Sequence, residues 1–169
     1  MSLVGFKAQN HGQQVGKRGA LDAVDDRGTD PEFFAKMVAR FGPFDLDAAA
    51  APHNAKCDRY YTINDNALEQ SWDGRVWCNP PYSELGKWVG KAHFEYDVGN
   101  ARLVVMLLPA NRTEQTWWQT YIEPMRDKAL GPTVEFLPGR MRFVKPGAAA
   151  IGPNERPPFG CCLVIWGQS

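Results

Sequence analysis

The chain has 169 residues, of which 44% are hydrophobic and 22% are charged, and its 19 basic and 19 acidic side chains balance. This length predicts a single domain with a proper hydrophobic core, and the composition excludes a disordered chain. No apolar run approaches the ~20 residues of a membrane span, and the first residues lack the apolar core of a signal peptide. We therefore expect a cytoplasmic protein without a membrane partner.

The cysteines give little support for a metal site. They lack the Cys-x-x-Cys spacing of zinc sites, and the adjacent Cys161 and Cys162 cannot readily form a disulfide with each other. His53 and Cys57 supply half of a metal site, but no second half is evident. We predict that no metal ion binds and that the cysteines, including Cys78, are reduced and mostly buried.

Basic side chains are concentrated towards the two ends of the chain. The opening segment carries Lys7, Lys17 and Arg18 before any acidic residue, and the last thirty residues contain a single acid, Glu155. The basic residues of this closing segment are Arg140, Arg142, Lys145 and Arg156. Such ends favour local contact with DNA phosphates, and ordinary solvated surface charge explains each residue about equally well.

Residues 1–24 are rich in Gly, Gln, Asn and Lys and carry little periodicity, which predicts a mobile tail before a domain over residues 25–169. A helix start follows, because Asp30 can act as a cap and Pro31 suits the first helical position. The apolar stripe from Phe33 to Phe41 has helical spacing, and Gly42-Pro43 ends the helix.

The next segments predict a short sheet. Phe44 to Asp47 is typical of a strand, with small alanines at its exit, and Arg59 to Thr62 is a plausible short strand. The stretch between Asp47 and Asn79 is too short for a full strand–helix–strand–helix–strand unit, since one crossover with its strands takes ~30 residues. We predict an α/β fold with a trimmed Rossmann-like, mostly parallel sheet in which loops replace a helix.

The most informative stretch is Val76 to Ser83. Val76 to Cys78 is a short apolar run that predicts a buried strand, and Asn79-Pro80-Pro81-Tyr82 stops it abruptly. Proline lacks the N–H that a sheet needs and disfavours helix at the preceding residue, so the two prolines predict a rigid, extended exit. Such an exit suits the carboxyl end of a strand, where open α/β folds bind their ligands. An ordinary strand-ending turn is the other interpretation of these four residues taken alone.

This arrangement suits methylation of an exocyclic amine on a planar ring. The lone pair of such an amine is delocalised into the ring, which makes the nitrogen a poor nucleophile. The Asn79 side-chain oxygen and the Pro80 carbonyl can accept hydrogen bonds from its two N–H groups, which localises the lone pair towards a methyl donor. Tyr82 offers a flat face on which the base can stack, as enzymes that act on flipped bases require.

The second half of the chain predicts two helices and several strands. Leu85 to Tyr96 has helical spacing, and Arg102 to Leu108 is a continuous apolar run typical of a buried, parallel central strand. A helix from Thr113 to Ile122 is expected to bury its two tryptophans. Further strands are predicted at Thr133 to Leu137, Arg140 to Val144 and Cys161 to Trp166, with a mobile loop over residues 145–158.

Together these motifs resemble the phage-type, Dam-like family of DNA N6-adenine methyltransferases. The matching stretches occur in the expected order across roughly residues 25 to 169, so the resemblance covers nearly the whole chain. They are Phe44 to Ala50, Asn54 to Cys57, Asn66 to Leu68 with Ser71-Trp72, Trp77 to Ser83, Trp88-Val89 with Lys91-Ala92, Leu107 to Ala110 with Arg112-Thr113, and Gly139-Arg140 with Arg142-Phe143.

The resemblance implies a compact class I methyltransferase fold. It also implies an enzyme that transfers a methyl group from S-adenosylmethionine to the N6 amino group of adenine in double-stranded DNA. The target base is expected to flip into a pocket at the catalytic residues Asn79, Pro80, Pro81 and Tyr82. Because nearly all residues belong to the methyltransferase core, DNA contacts must come from loops and the basic tail. The predicted DNA-binding residues are Arg112, Arg140, Arg142 and Lys145.

The resemblance also implies a cofactor site. The predicted contacts are Thr29, Pro31, Asp45, Asp47, Ala48, Asn54, Asp65 and Asn66. Asp47 is the expected partner of the ammonium group of the cofactor, although Asp45 or Asp47 could instead only cap the next turn. Asp65 and Asn66 are candidates for contact with the adenine or ribose, and equally for a helix cap before Leu68. Where the family has a Thr-Pro pair against the amino-acid end of the cofactor, this chain has Thr29 one residue earlier.

Two other functions stay open at this point. The same Asn-Pro-Pro-Tyr motif serves enzymes that methylate protein glutamine or RNA bases, because an amide and an amino-purine both present a planar, conjugated nitrogen. The other alternative is a non-catalytic DNA-binding protein that retains the fold, which the intact motif argues against.

Overall fold

The computed structural model describes residues 28–144, Pro157 and residues 159–168. The predicted mobile tail, Lys145 and nearly all of the predicted loop over residues 145–158 lie outside these residues. The strands are β1 (Gly28–Thr29), β2 (Leu46–Asp47), β3 (Gly74–Cys78), β4 (Ala101–Pro109), β5 (Thr133–Phe136), β6 (Phe143–Val144) and β7 (Cys161–Trp166). The α-helices are α1 (Pro31–Phe41), α2 (Leu85–Asp97) and α3 (Thr116–Tyr121), with short 3-10 turns at Tyr82–Glu84 and Glu123–Met125.

The central sheet has the strand order β2-β3-β4-β7-β5. β2, β3 and β4 are parallel, whereas β7 pairs antiparallel with both β4 and β5. The sheet is therefore mixed, and the predicted mostly parallel sheet is not confirmed, because both pairings of β7 are antiparallel. A parallel neighbour needs a crossover connection, whereas β7 runs back against the direction of β4, and β5, which is antiparallel to β7, points the same way as β4. β1 and β6 form a separate antiparallel pair.

The local signals explain most of the elements. Asp30 caps α1 by accepting a hydrogen bond from the Glu32 N–H at 3.1 Å, and Gly42 at φ 78° follows the helix end, as predicted. The predicted strand at Arg59 to Thr62 is reduced to one parallel bridge between Tyr60 and Asp47. The predicted helix start at Thr113 is wrong by three residues, because α3 begins at Thr116 after Gln115.

Each face of the sheet is covered, so β4 is buried from Leu103 to Pro109. On one face α2 and α3 pack Leu85, Val89 and the two tryptophans of α3 against the sheet. On the other face α1 contributes Met37 and Phe41. A strand buried on both faces is expected to be a continuous apolar run, which is the pattern seen in β4. Within the described ranges, no helix combines the length and apolar composition that crossing a membrane requires.

Candidate active site

A cavity of about 830 Å³ opens at the carboxyl ends of β2 and β3. Its wall is formed by β1, the loop that follows β2, residues 61–68, and the segment from Asn79 to Trp88. The register of the sheet explains why these segments meet. Asp47 pairs with Trp77 across the parallel strands, so Asn79 follows only two residues beyond the partner of Asp47. The cavity thus lies where open α/β sheets bind their ligands.

Asp47 is the buried carboxylate of this cavity, with 3% of its surface exposed. Its Oδ2 accepts a hydrogen bond from the Lys56 backbone N–H at 3.0 Å, and its Oδ1 accepts one from the Ala49 N–H at 3.3 Å. Burial raises the pKa of Asp47 to about 6, since these two N–H groups and the charge of Lys56 only partly offset the loss of solvent. A cationic ligand group would stabilise the ionised form.

The loop that follows β2 is held by its own backbone and side chains. The Ala48 N–H donates to the Trp77 carbonyl at 2.9 Å, and Asn54 Oδ1 accepts from the Ala51 N–H at 2.8 Å. Ala48 is fully buried and contributes to the core, whereas Asn54 lines the cavity. A Cβ atom on Gly28 would lie 3.3 Å from the Asn54 Cβ, so the small residue lets β1 approach this loop closely.

Residues 61–68 form a second part of the cavity wall, next to the carboxyl ends of the strands. Asp65 accepts hydrogen bonds from both the backbone N–H and the hydroxyl of Thr62, each at 2.7 Å, and these bonds lower its pKa. Asp65 is exposed and does not line the cavity, whereas its neighbour Asn66, at φ 51°, does. The aspartate therefore shapes the turn that presents Asn66.

The Asn79-Pro80-Pro81-Tyr82 loop leaves β3 at the mouth of the cavity. Asn79 and Pro81 line the cavity, and Pro80 is buried. The Tyr82 ring packs edge-to-face on Phe143 at a centroid distance of 6.4 Å and contacts Phe159 at 5.8 Å. Burial raises the pKa of Tyr82 well above its usual value, so its phenol is neutral.

Arg112, which follows the neighbouring strand β4, forms a hydrogen bond with the Asn79-Pro80-Pro81-Tyr82 loop. It follows the end of β4, and its guanidinium donates a hydrogen bond to the Tyr82 carbonyl at 3.0 Å. Both loops leave parallel strands at the same edge of the sheet, which explains how residues thirty positions apart meet. Arg112 thereby supports the position of the motif as well as being a predicted DNA contact.

Some predicted site residues lie elsewhere. Asp45 sits at the amino end of β2, where it accepts a hydrogen bond from the Arg75 backbone N–H at 2.8 Å and forms an ion pair with Arg102 at 3.6 Å. A Cβ on Gly74, which has φ 85°, would come within 2.4 Å of the Asp45 carboxylate. Asp45 therefore joins β2 to β3 rather than lining the cavity. Pro31 is the exposed first residue of α1, while buried Thr29 of β1 does line the cavity.

Besides Arg112, the predicted DNA-binding residues are Arg140, Arg142 and Lys145. Arg140 and Arg142 are exposed in the segment before β6. Phe143 follows Arg142 directly and touches the Tyr82 ring, so this segment reaches the motif loop. Lys145 lies outside the described residues.

Sequence reasoning did not select most of the residues that line the cavity, among them Lys56 and Trp88. Lys56 lies within the Asn54 to Cys57 stretch of the family resemblance, which was its only signal. Trp88 was assigned to an apolar helix stripe and to the Trp88-Val89 stretch of the family resemblance, and it packs on Trp72 at a centroid distance of 6.1 Å. Within the part of the chain that the structure describes, no group of three or more His, Cys, Asp or Glu side chains is arranged to hold a metal ion.

The chain belongs to the DNA N-6-adenine-methyltransferase (Dam) family, whose sequence pattern it matches over residues 20–168. This match confirms the family resemblance drawn from the motifs.

Two phage proteins are similar to this chain. The DNA N-6-adenine-methyltransferase of Escherichia phage T1 is 39% identical over 102 residues, which are 59% of this chain and 41% of that protein. The DNA N-6-adenine-methyltransferase of Haemophilus phage HP1 is 42% identical over 66 residues, which are 38% of this chain and 38% of that protein. The matched regions thus span about two fifths of each relative.

Proposed function

We propose that this protein transfers a methyl group from S-adenosylmethionine to the N6 amino group of adenine in DNA. The observation that carries the proposal is that Asn79, at the start of the Asn-Pro-Pro-Tyr loop, and Asp47, a buried carboxylate, line one cavity. Family membership and the names of the phage relatives support the same activity.

The cavity fits the chemical parts of S-adenosylmethionine. Its volume of about 830 Å³ lies within the range of small-molecule and cofactor sites. The buried Asp47 is a suitable partner for the ammonium group, and Asn66 supplies polar atoms for the adenosine part. Ala67, Leu68 and Trp88 add apolar surface for a flat ring. These lining residues therefore suit a ligand with one charged end and one planar aromatic end.

We infer a Rossmann-like, class I methyltransferase architecture. Three adjacent strands, β2, β3 and β4, are parallel, and helices cover both faces of the sheet. The cavity lies outside the carboxyl ends of these strands, as the general rule for open α/β sheets requires. β7, which is antiparallel to both of its neighbours, and β5 extend the sheet on the side away from β2.

In the proposed reaction the cofactor supplies an electrophilic methyl group on a sulfonium. The Asn79 side-chain oxygen and the Pro80 carbonyl accept hydrogen bonds from the adenine amino group, which localises the nitrogen lone pair. The two prolines keep these acceptors in place because each fixes its own φ angle. The C–S bond breaks as the N–C bond forms, so S-adenosylhomocysteine would leave as a neutral thioether. A strong general base is not required, because the nitrogen becomes acidic only after it has received the methyl group and can then lose its proton to water.

The target adenine must leave the duplex stack before Asn79 can reach its amino group, at a cost of a few kcal/mol. Tyr82 is the proposed stacking partner, and contact of its ring with Phe143 and Phe159 fixes the orientation of that ring. The exposed Arg140 and Arg142 precede Phe143 in the chain, so we assign them to DNA contact beside the flipped base.

The test is incubation of the protein with methyl-labelled S-adenosylmethionine and unmethylated double-stranded DNA, followed by analysis of the nucleosides. We expect label in N6-methyladenine, and we expect Asn79→Ala to abolish most of it while retaining cofactor binding. Label that appears in added RNA or in a protein glutamine, and not in DNA, would overturn the choice of substrate. Cofactor binding without any transfer to DNA would overturn the proposed activity.

A further inference from the structure

The cavity contains both signs of charge. Among the described residues that line it, the acidic side chains are Asp47 and Glu84, and the basic side chain is Lys56. Glu84 is exposed and forms an ion pair with Lys87, which lies one helical turn away and does not line the cavity. The charges left in the interior are therefore those of Asp47 and Lys56.

Lys56 is held next to Asp47 by the backbone. Its N–H donates to Asp47 Oδ2 at 3.0 Å, so the lysine side chain starts beside the buried carboxylate. The side chain is half-buried, and burial lowers the pKa of Lys56 while the charges of Asp47 and Asp30 act against this effect. Within residues 28–144 and 157–168 as far as described, the Lys56 ammonium forms neither an ion pair nor a hydrogen bond. The N–H groups of this half-buried ammonium are therefore available to a ligand in the cavity.

We propose that Lys56 binds the α-carboxylate of the methyl donor, beside the ammonium bound by Asp47. This inference rests on the proposed function, because it names the residue that receives one end of the proposed cofactor. The ammonium and carboxylate of an α-amino acid share one carbon atom, so their two binding groups must be neighbours in the protein. The adjacency of Asp47 and Lys56 meets this condition.

The charge balance of the interior supports this assignment. S-Adenosylmethionine carries an ammonium, a sulfonium and a carboxylate. Asp47 alone would leave that carboxylate facing a buried acid without a cationic partner. A lysine ammonium offers three N–H donors and a charge, and charge-assisted hydrogen bonds are among the stronger interactions in a partly buried site. Thr29, which also lines the cavity, can add a neutral donor to the same group.

The competing explanation gives Lys56 a structural role only, as a counter-charge for Asp47 and Asp30. The two roles differ in what they predict for a ligand without a carboxylate. A counter-charge acts through Asp47, so its loss would change the binding of every ligand that carries the ammonium. A carboxylate-binding residue matters only when the carboxylate is present.

The experiment is isothermal titration of the wild-type protein and Lys56→Met with two ligands, in the absence of DNA. S-Adenosylhomocysteine keeps the ammonium and the carboxylate, and its decarboxylated analogue keeps only the ammonium. We expect Lys56→Met to weaken binding of S-adenosylhomocysteine by roughly 10- to 100-fold, the range of a charged hydrogen bond. Binding of the decarboxylated analogue should change by less than about twofold, and Lys56→Arg should retain most of the affinity for both ligands.

Lys36→Met is the matched control, because Lys36 is an exposed lysine of α1 outside the cavity wall and its loss should leave both affinities unchanged. Equal weakening of both ligands by Lys56→Met, or no weakening of either, would overturn the inference. If the wild-type protein binds neither ligand, the proposed function fails instead. Thermal unfolding of each variant shows whether Lys56→Met is folded. If it is not, Lys56→Gln is titrated with the same two ligands in its place.

Discussion

Asp47 and Glu95 are both buried carboxylates, with 3% and 2% of their surfaces exposed, and they lie at opposite ends of the same sheet. Asp47 stands at the carboxyl end of β2, at the cavity. Glu95, in the last turns of α2, faces the amino ends of β3 and β4. The two acids differ in how their oxygens are bound, and this difference separates the functional edge of the molecule from its structural edge.

Glu95 is surrounded by donors from three segments. It forms an ion pair with Lys91, and its Oε2 accepts from the Asn100 side chain at 2.8 Å and the Trp72 backbone N–H at 3.2 Å. Burial acts to raise the pKa of Glu95, but these hydrogen bonds and the charge of Lys91 outweigh it, so the pKa is lowered. Trp72 precedes β3 and Asn100 precedes β4, so this one carboxylate joins the amino ends of both strands.

Within the described part of the chain, Asp47 accepts hydrogen bonds from just two backbone N–H groups, and burial raises its pKa to about 6. These two partners stabilise the ionised form of Asp47 too weakly to offset its burial, whereas the partners of Glu95 more than offset the burial of that carboxylate. A buried carboxylate that still favours a further positive partner is typical of a binding site, and a carboxylate with a complete set of donors is typical of a structural one. Substitutions at the two edges should therefore affect different measurements.

The largest effect on stability is expected from Glu95→Ala. It leaves the mostly buried Lys91 without its partner and the Trp72 N–H without an acceptor, which should cost about 3–5 kcal/mol of the free energy of unfolding. Chemical denaturation measures this loss. The control Glu84→Ala removes an exposed carboxylate paired with the exposed Lys87, and we expect little change in stability there. A small loss in Glu95→Ala would contradict the structural role of this edge.

At the cavity edge, Asn79→Ala should act on the chemical step. Asn79 lines the cavity at a strand exit and not in the core, so the stability of the fold should change little. We expect the rate of methyl transfer to fall by roughly 10²–10³, comparable to the loss of one preorganised polar group in an active site. Single-turnover assays at saturating cofactor measure this rate. Near-normal turnover would contradict the proposed mechanism.

Asp47→Ala should weaken cofactor binding. Loss of a charged hydrogen bond to the ammonium is expected to cost about 1.5–3 kcal/mol of binding free energy. Calorimetry with S-adenosylhomocysteine measures the change. Because Asp47 also holds the Ala49 and Lys56 N–H groups, Asp47→Asn, which keeps an acceptor, should be compared for folding. Unchanged affinity in a folded variant would contradict the role of Asp47 in binding the ammonium group.

The pKa of Asp47 predicts a pH dependence of binding. The carboxylate must be ionised to hold an ammonium group, and it takes up a proton as the pH falls through about 6. Affinity for S-adenosylhomocysteine should therefore be constant above pH 7 and fall by up to about tenfold per pH unit below 6. Titrations between pH 5 and 8 test this, with Asp47→Asn as the control that should lose the dependence. A flat profile in the wild-type protein would show that Asp47 does not bind the charged group.

The smallest expected effect concerns DNA. Arg142 is exposed beside Phe143, whereas Arg102 is an exposed arginine at the structural edge, next to Asp45. If Arg142 contacts phosphate, Arg142→Ala should reduce the slope of log affinity against log salt by about one unit, and Arg102→Ala should not. If Arg142 reads a base, the slope should stay the same while methylation spreads to new sequences. A variant that alters neither DNA affinity nor methylation pattern would exclude Arg142 from the interface.

Local signals predicted much of the fold because the elements are short and clearly bounded. Asp30, Pro31 and Gly42 mark the ends of α1 through capping and backbone preference, which depend on neighbouring residues only. The apolar run of β4 predicted a buried central strand, and β7 lies where the apolar run from Cys161 to Trp166 placed it. The start of α3 was less well predicted, because Thr113 is as good a cap residue as any that follows.

The sequence by itself determined the family, the order of the elements and the position of the Asn-Pro-Pro-Tyr loop after a buried strand, since these follow from residue type and spacing. Only the tertiary structure decided that Asp47 faces the cavity while Asp45, two residues earlier, binds the backbone of β3. It also decided the antiparallel direction of β7, the contact of Arg112 with the Tyr82 carbonyl, and the place of Lys56 beside Asp47. Each of these depends on which distant segments pair across the sheet, and periodicity along one segment carries no information about its partner.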